Sequence, residues 1–220
     1  MNVVYSSTEE NYLKAIYHLQ QLHERVSTTQ LADHMRIRPA TATDMLQKLE
    51  QKKLLHYKKY YGFTLTAAGL RLAVHVIRKH RLWEYFLVTQ LGFPWEEVHA
   101  IAEELEHVSS DLLVEKLDQF LGFPTVDPHG DPIPDGKGKF KLQKQENLLQ
   151  LPTRKLLEVC SVTNQSQDML ELLNHYQIQI GSKLKIMKRF DFDGSVQVRI
   201  DKLPMITISE QVAKNIYCKQ

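Results

Sequence analysis

The stretch VSTTQLADHMRIRPATATDMLQKLEQKKLL, residues 26–55, has the pattern of two helices joined by a short turn. Thr28 or Thr29 can cap the first helix, because a threonine hydroxyl can accept a hydrogen bond from a free amide of the first turn. The break falls at residues 36–38. Pro39 suits the first turn of the second helix, since the amide hydrogen that proline lacks would have no helical partner there.

The segments on either side complete a known arrangement. HYKKYYGFTLT, residues 56–66, alternates around Gly62 and predicts a β-hairpin. Upstream, Ser7 with Glu10 three residues later predicts a capping box that opens a first helix. A helix, a helix-turn-helix and a hairpin, in this order, predict a winged helix-turn-helix domain.

The remainder predicts a helical region followed by a small β domain. Three helices are expected at about residues 66–91, 94–107 and 110–121. Residues 124–138 hold four of the eight prolines and three of the nine glycines, which indicates a domain boundary. Beyond it, KLKIMKRF, SVQVRI and MITIS alternate as strands, with a short helix near residues 166–175. We therefore expect a mainly α chain with a small β domain, divided at residues 1–72, 73–123, 124–147 and 148–220.

Composition bounds the class of protein. The longest apolar runs fall short of the roughly 18 residues that a membrane helix needs, so no membrane partner is expected. The N-terminus lacks a basic-then-apolar export signal, and two cysteines are too few for a disulfide framework. These features predict a cytoplasmic protein.

Charge is strongly segregated along the chain. Residues 1–81 carry 13 Lys and Arg against 6 Asp and Glu, whereas residues 82–123 carry 1 against 9. A basic block suits a polyanion such as nucleic acid, and an acidic block suits cations. Segregated but merely solvated charge is the alternative.

The acidic block contains HAIAEELEH, residues 99–107. On a helix, His99, Glu103, Glu106 and His107 fall within roughly a 100° arc, beside an apolar stripe. Carboxylates gathered at a half-buried edge repel one another, and a divalent cation relieves that repulsion. Glu104 lies off this arc and is expected to be solvated.

The preceding helix offers a second pair. His80 and Glu84 are four residues apart and share a helix face. Two helices that each present histidine and carboxylate at one-turn spacing predict a metal site. Oxygen and imidazole ligands without thiolate suit Mn²⁺ or Fe²⁺, and Zn²⁺ in vitro. For any one of these residues, a surface charge or a hydrogen-bonded histidine is the simpler interpretation.

Five segments together resemble the diphtheria-toxin-repressor family of iron- and manganese-dependent transcriptional regulators: TEENYLKAIYHL, the helix-turn-helix, RKHRLWE, VHAIAEELEHVSSD and DPHGDPIP. The resemblance covers nearly the whole chain. It implies an N-terminal winged helix-turn-helix, a helical dimerisation domain and a C-terminal SH3-like (FeoA-like) barrel.

The resemblance also implies two metal sites. His80, Glu84 and His99 match the ancillary site, and Glu106 and His107 match the primary, activating site. Glu103 stands where iron-responsive members have cysteine and manganese-responsive members have a carboxylate. Asn11 stands where these groups have methionine or aspartate, so the choice between Fe²⁺ and Mn²⁺ stays open.

Two further positions bear on these sites. Lys14 replaces a carboxylate found in some manganese sensors. In the family, the third domain contributes two ligands to the ancillary metal, and these align with Ser161 and Asn164. Asn164 is retained as a candidate ligand, whereas Ser161 is a poorer ligand and is not included.

The function implied is a metal-dependent repressor, not an enzyme, that binds palindromic operator DNA as a homodimer and uses no small organic substrate. The residues implied in DNA binding are Arg36, Arg38, Lys48, Lys58 and Lys59 at phosphates, and Pro39, Ala40, Thr41 and Thr43 near bases. Two alternatives are a di-metal carboxylate and histidine enzyme, and a winged-helix regulator that senses a small molecule.

Overall fold

The computed structural model describes residues 5–23, 25–58, 62–141, 144–201 and 203–219. The N-terminal third contains three helices and a two-stranded antiparallel sheet: α1 Ser7–Leu22, α2 Thr28–Met35, α3 Pro39–Gln51, β1 Leu55–Lys58 and β2 Gly62–Leu65. Leu13, Ile16, Leu31, Leu46 and Leu49 are fully buried and form the centre of its core. The predicted winged helix-turn-helix is confirmed.

The predicted caps of the first two helices are wrong by one position or more. Ser6, not Ser7, caps α1: its hydroxyl accepts from the Glu9 amide at 3.3 Å, and the Glu9 carboxylate accepts from the Ser6 amide at 3.1 Å. The sequence SSTEE allows both registers, and the earlier register leaves Glu10 free for a contact described below.

A capping box also begins α2: the Ser27 hydroxyl accepts from the Gln30 amide, and the Gln30 side-chain oxygen accepts from the Ser27 amide. Neither Thr28 nor Thr29 is the cap. Arg36 ends α2 with φ of 55°, the left-handed conformation that turns the chain toward α3. Pro39 is the first residue of α3, as predicted.

Three helices form the middle of the chain: α4 Ala67–Leu91, α5 Val98–Val108 and α6 Asp111–Phe120. Thr66 caps α4 and Gly92 ends it in the left-handed conformation. The prediction that α5 begins at Pro94 is wrong. Residues 94–97 form a turn, because the Trp95 side chain packs into the core of the C-terminal domain and its indole N–H donates to Asn174 Oδ1 at 3.0 Å.

The C-terminal domain is built on a six-stranded antiparallel sheet with strand order β3-β8-β4-β5-β6-β7. The strands are β3 Glu146–Asn147, β4 Leu157–Val162, β5 Lys183–Arg189, β6 Val196–Ile200, β7 Ile206–Ile208 and β8 Ile216–Lys219, with helices α7 Gln167–His175 and α8 Glu210–Ala213. The expected fold class, mainly α with a small C-terminal β domain, is confirmed.

Residues 124–141 carry no regular strand or helix, yet part of the segment is firmly packed. An isolated bridge pairs Val126 with Pro132, and Asp127 and His129 inside it are 3% and 1% exposed. Among the described residues, every helix is too short or too polar to cross a lipid bilayer.

Candidate metal centre

His80 is the centre of a buried polar cluster between α4 and α5. Its Nδ1 lies 2.6 Å from Glu106 Oε2, and its Nε2 lies 3.0 Å from Glu84 Oε1 and 3.1 Å from His99 Nδ1. Glu84 lies one turn after His80 on α4, whereas Glu106 and His99 come from α5. The structure therefore brings together the two pairs that the helical spacing predicted separately.

The charges in this cluster depend on one another. Burial alone would lower the pKa of His80, but the Glu84 and Glu106 carboxylates raise it to about 9. Burial would raise the pKa of Glu84, but the neighbouring imidazoles hold it below its ordinary value. In the metal-free protein at neutral pH, a protonated His80 thus supplies positive charge between two buried carboxylates.

Among the residues that the structure describes, three overlapping groups of side chains place their ligand atoms within 4.8 Å of one another. They are His80–Glu84–His99, His80–Glu103–Glu106 and Glu84–Asp127–His129. All donors are carboxylate oxygen or imidazole nitrogen, which suits Mn²⁺, Fe²⁺ or Zn²⁺. Glu84 and Glu106 are 1% and 0% exposed, so a cation offsets the cost of burying their charge. The residues present therefore fit a divalent metal.

The predicted primary site also contains a positively charged side chain, that of Lys14. The Lys14 ammonium lies 2.6 Å from Glu106 Oε1 and 3.0 Å from Glu103 Oε2. Asn11 Oδ1 and His107 Nε2 are buried and lack a hydrogen-bond partner within the part of the chain that the structure describes. His107 Nε2 nevertheless lies 3.5 Å from Glu106 Oε1. These two unsatisfied atoms are the ones that a metal ion at this site would coordinate.

Sequence reasoning missed Glu10. Its Oε2 lies 2.6 Å from His107 Nδ1 and so connects α1 to α5. A carboxylate on the outer nitrogen of a histidine fixes the ring so that the other nitrogen faces the site. The signal was present in the sequence, but the wrong capping register assigned Glu10 to the cap of α1.

Sequence reasoning also missed Asp127 and His129, which it placed at a domain boundary. His129 Nδ1 lies 3.9 Å from Glu84 Oε2, and Asp127 Oδ1 accepts from the amides of His129 and Asp131 at 2.8 and 3.0 Å. Burial, with the charges of Asp131 and Glu84, raises the pKa of Asp127 well above its ordinary value. A histidine between two aspartates in DPHGD was the available signal, although the abundance of proline obscured it.

The structure does not bring Asn164 to this cluster. The Asn164 side chain is exposed, and its Oδ1 accepts from the Ser166 amide at 3.0 Å in the turn before α7. Gln165 is the neighbour that reaches the centre: it lines a cavity of about 370 Å³ and donates to Asp131 Oδ2 at 3.2 Å. Ser161 is buried in β4.

The predicted DNA-contacting residues other than the lysines lie at the N-terminal end of α3 or just before it. Pro39, Ala40 and Thr41 are exposed in its first turn, with Arg36 and Arg38 exposed just before it. The Thr43 hydroxyl donates to Pro39 O at 2.9 Å, which leaves its methyl group as the more available part.

The three predicted lysines do not share this position. Lys48 is half exposed, and its Nζ lies 3.1 Å from Glu9 Oε1, so it ties α3 to α1. The side chain of Lys58 and the whole of Lys59 lie outside the described residues.

Comparison with known proteins accounts for all three parts of the chain. Residues 5–63 match the N-terminal DNA-binding domain of the iron-dependent repressors, and residues 66–135 match their metal-binding and dimerisation domain. Residues 146–220 match the FeoA domain. A solved manganese-dependent transcriptional repressor in complex with manganese has a TM-score of 0.86 and 34% identity, covering 96% of this chain and 98% of that one. The chain belongs to the iron-dependent repressor family.

Two other proteins are also similar to this chain. The ScaR structure with bound Zn²⁺ has a TM-score of 0.79 and 34% identity, covering 96% of this repressor-family chain and 99% of ScaR. The iron-dependent repressor IdeR of Mycobacterium leprae is 37% identical over 127 residues. That alignment covers 58% of this chain and spans 55% of the length of IdeR.

Proposed function

We propose that this protein is a metal-dependent transcriptional repressor that binds palindromic operator DNA as a homodimer when it is loaded with Mn²⁺ or Fe²⁺. One observation carries the proposal: the cluster of metal-capable side chains joins α1 of the winged domain to α5 of the middle domain. Glu10 contacts His107 across this junction, and Asn11 and Glu103 line the same cavity.

The metal ligands in this proposal come from α1, α4, α5 and the irregular segment that follows α6. His80, Glu84 and His99 form one set, Asp127 and His129 extend it, and Asn11, Glu103, Glu106 and His107 form the other. When bound, the ion supplies the positive charge that these buried carboxylates require. The donor set contains no thiolate, which favours Mn²⁺ over softer-site metals, with Fe²⁺ acceptable and Zn²⁺ able to bind in vitro.

A ligand shifts a conformational equilibrium only by its differential affinity for the two states. Metal that ligates residues of α1 and α5 together binds better to the conformation in which the two helices are close. The orientation of the winged domain then fixes the spacing of the two recognition helices in a dimer, which must match the half-sites of the operator.

For DNA, we assign base-edge contacts to Pro39, Ala40, Thr41 and Thr43, and phosphate contacts to Arg36, Arg38, Lys48, Lys58 and Lys59. Small side chains in the first turn of α3 permit close approach to thymine methyl groups. The exposed apolar residues of α5, α6 and the turn that follows support a dimer surface: Val108, Leu112, Leu113, Phe120 and Phe123. We place the domain divisions at residues 1–72, 73–123, 124–147 and 148–220, and the protein in the cytoplasm.

The test is DNA binding by the full chain across metals. An operator selected from random duplex DNA by the Mn²⁺-loaded protein is titrated in Mn²⁺, anaerobic Fe²⁺, Zn²⁺ or excess chelator, with fluorescence anisotropy as the readout. We expect Mn²⁺ to tighten binding at least about tenfold, within the usual range of coupling free energies. Glu106→Gln should lose this effect, whereas Lys155→Met, an exposed change in the C-terminal domain, should keep it.

Equal affinity in metal and in chelator would refute the proposal. Oxygen consumption by the Fe²⁺-loaded protein would instead favour the di-metal enzyme, and a requirement for a small organic molecule would favour the other class of winged-helix regulator.

A further inference from the structure

Lys14 lies in α1 one turn after Asn11, and its ammonium is directed into the candidate metal centre. The side chain is 12% exposed, and Nζ lies 2.6 Å from Glu106 Oε1 and 3.0 Å from Glu103 Oε2. The partners are 92 and 89 residues away in the sequence. Because the Lys14 and Glu106 side chains are largely shielded from solvent, their ion pair is screened less than a surface pair, whereas the contact with the partly exposed Glu103 is screened more.

The two carboxylates that Lys14 contacts are ones that a metal would use. Glu103 and Glu106 form one of the three potential ligand groups together with His80. Glu106 Oε1, the nearer oxygen, also lies 3.5 Å from the unpaired Nε2 of His107. The Lys14 ammonium therefore contacts two carboxylates of the predicted primary site, beside its histidine.

We propose that Lys14 is a tethered cation that competes with divalent metal for Glu103 and Glu106, and that holds α1 against α5 while metal is absent. Two cations at contact distance from the same carboxylate pair repel each other, so metal that ligates both carboxylates displaces the ammonium. Lys14 also lines the cavity of about 370 Å³ beside the centre, which provides space for the displaced side chain.

Lys14 thereby sets the metal concentration at which the primary site fills. The part of this inference that concerns metal rests on the proposed function; the contact between α1 and α5 does not. Methionine is the informative replacement, because it keeps an unbranched side chain of similar length and removes the charge.

The experiment compares the full-length wild type with Lys14→Met, Lys14→Arg and Lys155→Met. Lys14→Arg keeps the charge, and Lys155→Met removes one charge from an exposed position elsewhere. Mn²⁺ is titrated into each protein while the electron paramagnetic resonance signal of free hexaaqua Mn²⁺ is recorded. Separately, amide hydrogen exchange is measured by mass spectrometry in chelator-treated protein.

We expect Lys14→Met to tighten at least one class of Mn²⁺ sites by about tenfold or more, since an opposing charge in direct contact with two ligands is removed. In chelator, the same variant should exchange faster in α1 and α5 than the wild type. Lys14→Arg should resemble the wild type in both measurements, and Lys155→Met should change neither.

Equal Mn²⁺ affinities in the wild type and Lys14→Met would overturn the inference and leave the proposed function intact. Unchanged exchange in α1 and α5 would equally overturn it. If no variant binds Mn²⁺ or anaerobic Fe²⁺ below about 1 mM, a concentration that corresponds to about 4 kcal/mol of binding free energy, the proposed function fails and the competition fails with it.

Discussion

Replacing Gly130 by alanine tests whether the irregular segment before the C-terminal domain is part of the metal centre. Gly130 has φ of +86°, and a Cβ built on it would lie 1.9 Å from the Cys160 carbonyl oxygen and 2.6 Å from Ser161 Cα. Both neighbours are backbone atoms of β4. The Val162 amide of β4 also donates to the His129 carbonyl oxygen at 2.9 Å, so a backbone hydrogen bond joins the irregular segment to β4.

The cost of this change has two parts. The left-handed conformation costs a residue with a Cβ about 1–2 kcal/mol, and forcing extra atoms against packed backbone costs typically about 1–3 kcal/mol more. Gly92→Ala is the matched control, because Gly92 has φ of +71° but nothing within 4 Å of the built Cβ. We therefore expect a loss of about 2–5 kcal/mol for Gly130→Ala and of only about 1–2 kcal/mol for Gly92→Ala.

Urea unfolding followed by tryptophan fluorescence measures the difference, since the Trp95 ring stacks on the His129 ring at 5.7 Å between centroids. Gly130→Ala should also reduce Mn²⁺ binding, because a displaced segment carries Asp127 and His129 away from Glu84. Equal losses of stability in the two variants, with unchanged Mn²⁺ binding, would refute the reasoning.

Two other predictions concern the winged domain. Burial opposes ionisation of Glu9, yet Lys52, the Ser6 amide and Lys48 lower its pKa to about 2. The ionised Glu9 carboxylate therefore stabilises the fold fully above its ordinary pKa near 4.5. This stabilisation is lost as the pH falls toward 2. We expect Glu9→Gln to lower the free energy of unfolding by about 1–2 kcal/mol at pH 7, a value reduced because both lysines are partly exposed, and the difference from the wild type should shrink in urea unfolding at pH 3. An undiminished difference at pH 3 would argue against ion pairing. In DNA binding, Arg38→Ala should reduce the slope of log affinity against log salt concentration by about 1, because one phosphate contact is lost. Fluorescence anisotropy measures this slope, with Lys155→Met as the control. An unchanged slope would show that Arg38 does not contact a phosphate.

Much of the fold followed from local pattern. The helix-turn-helix, the hairpin and the long helix α4 each lie within one stretch whose periodicity or end signals were readable, and the Gly92 stop was found where predicted. Local pattern was weaker at ends that allow two registers, such as SSTEE, and where a tertiary contact overrides it. Trp95 is the clearest case, because its burial against the C-terminal core replaces the expected first turn of α5.

The candidate site divides in the same way. The sequence by itself determined the pairs that share a helix face, His80 with Glu84 and His99 with Glu103, because their spacing is fixed by the helical repeat. Only the tertiary structure decided that Lys14 meets Glu106 and that His129 lies beside Glu84. Those contacts join residues far apart in the chain, and no periodicity relates such residues. Their distance is decided by how whole helices and domains pack to bury apolar surface, with the charged groups carried along to wherever that packing leaves them.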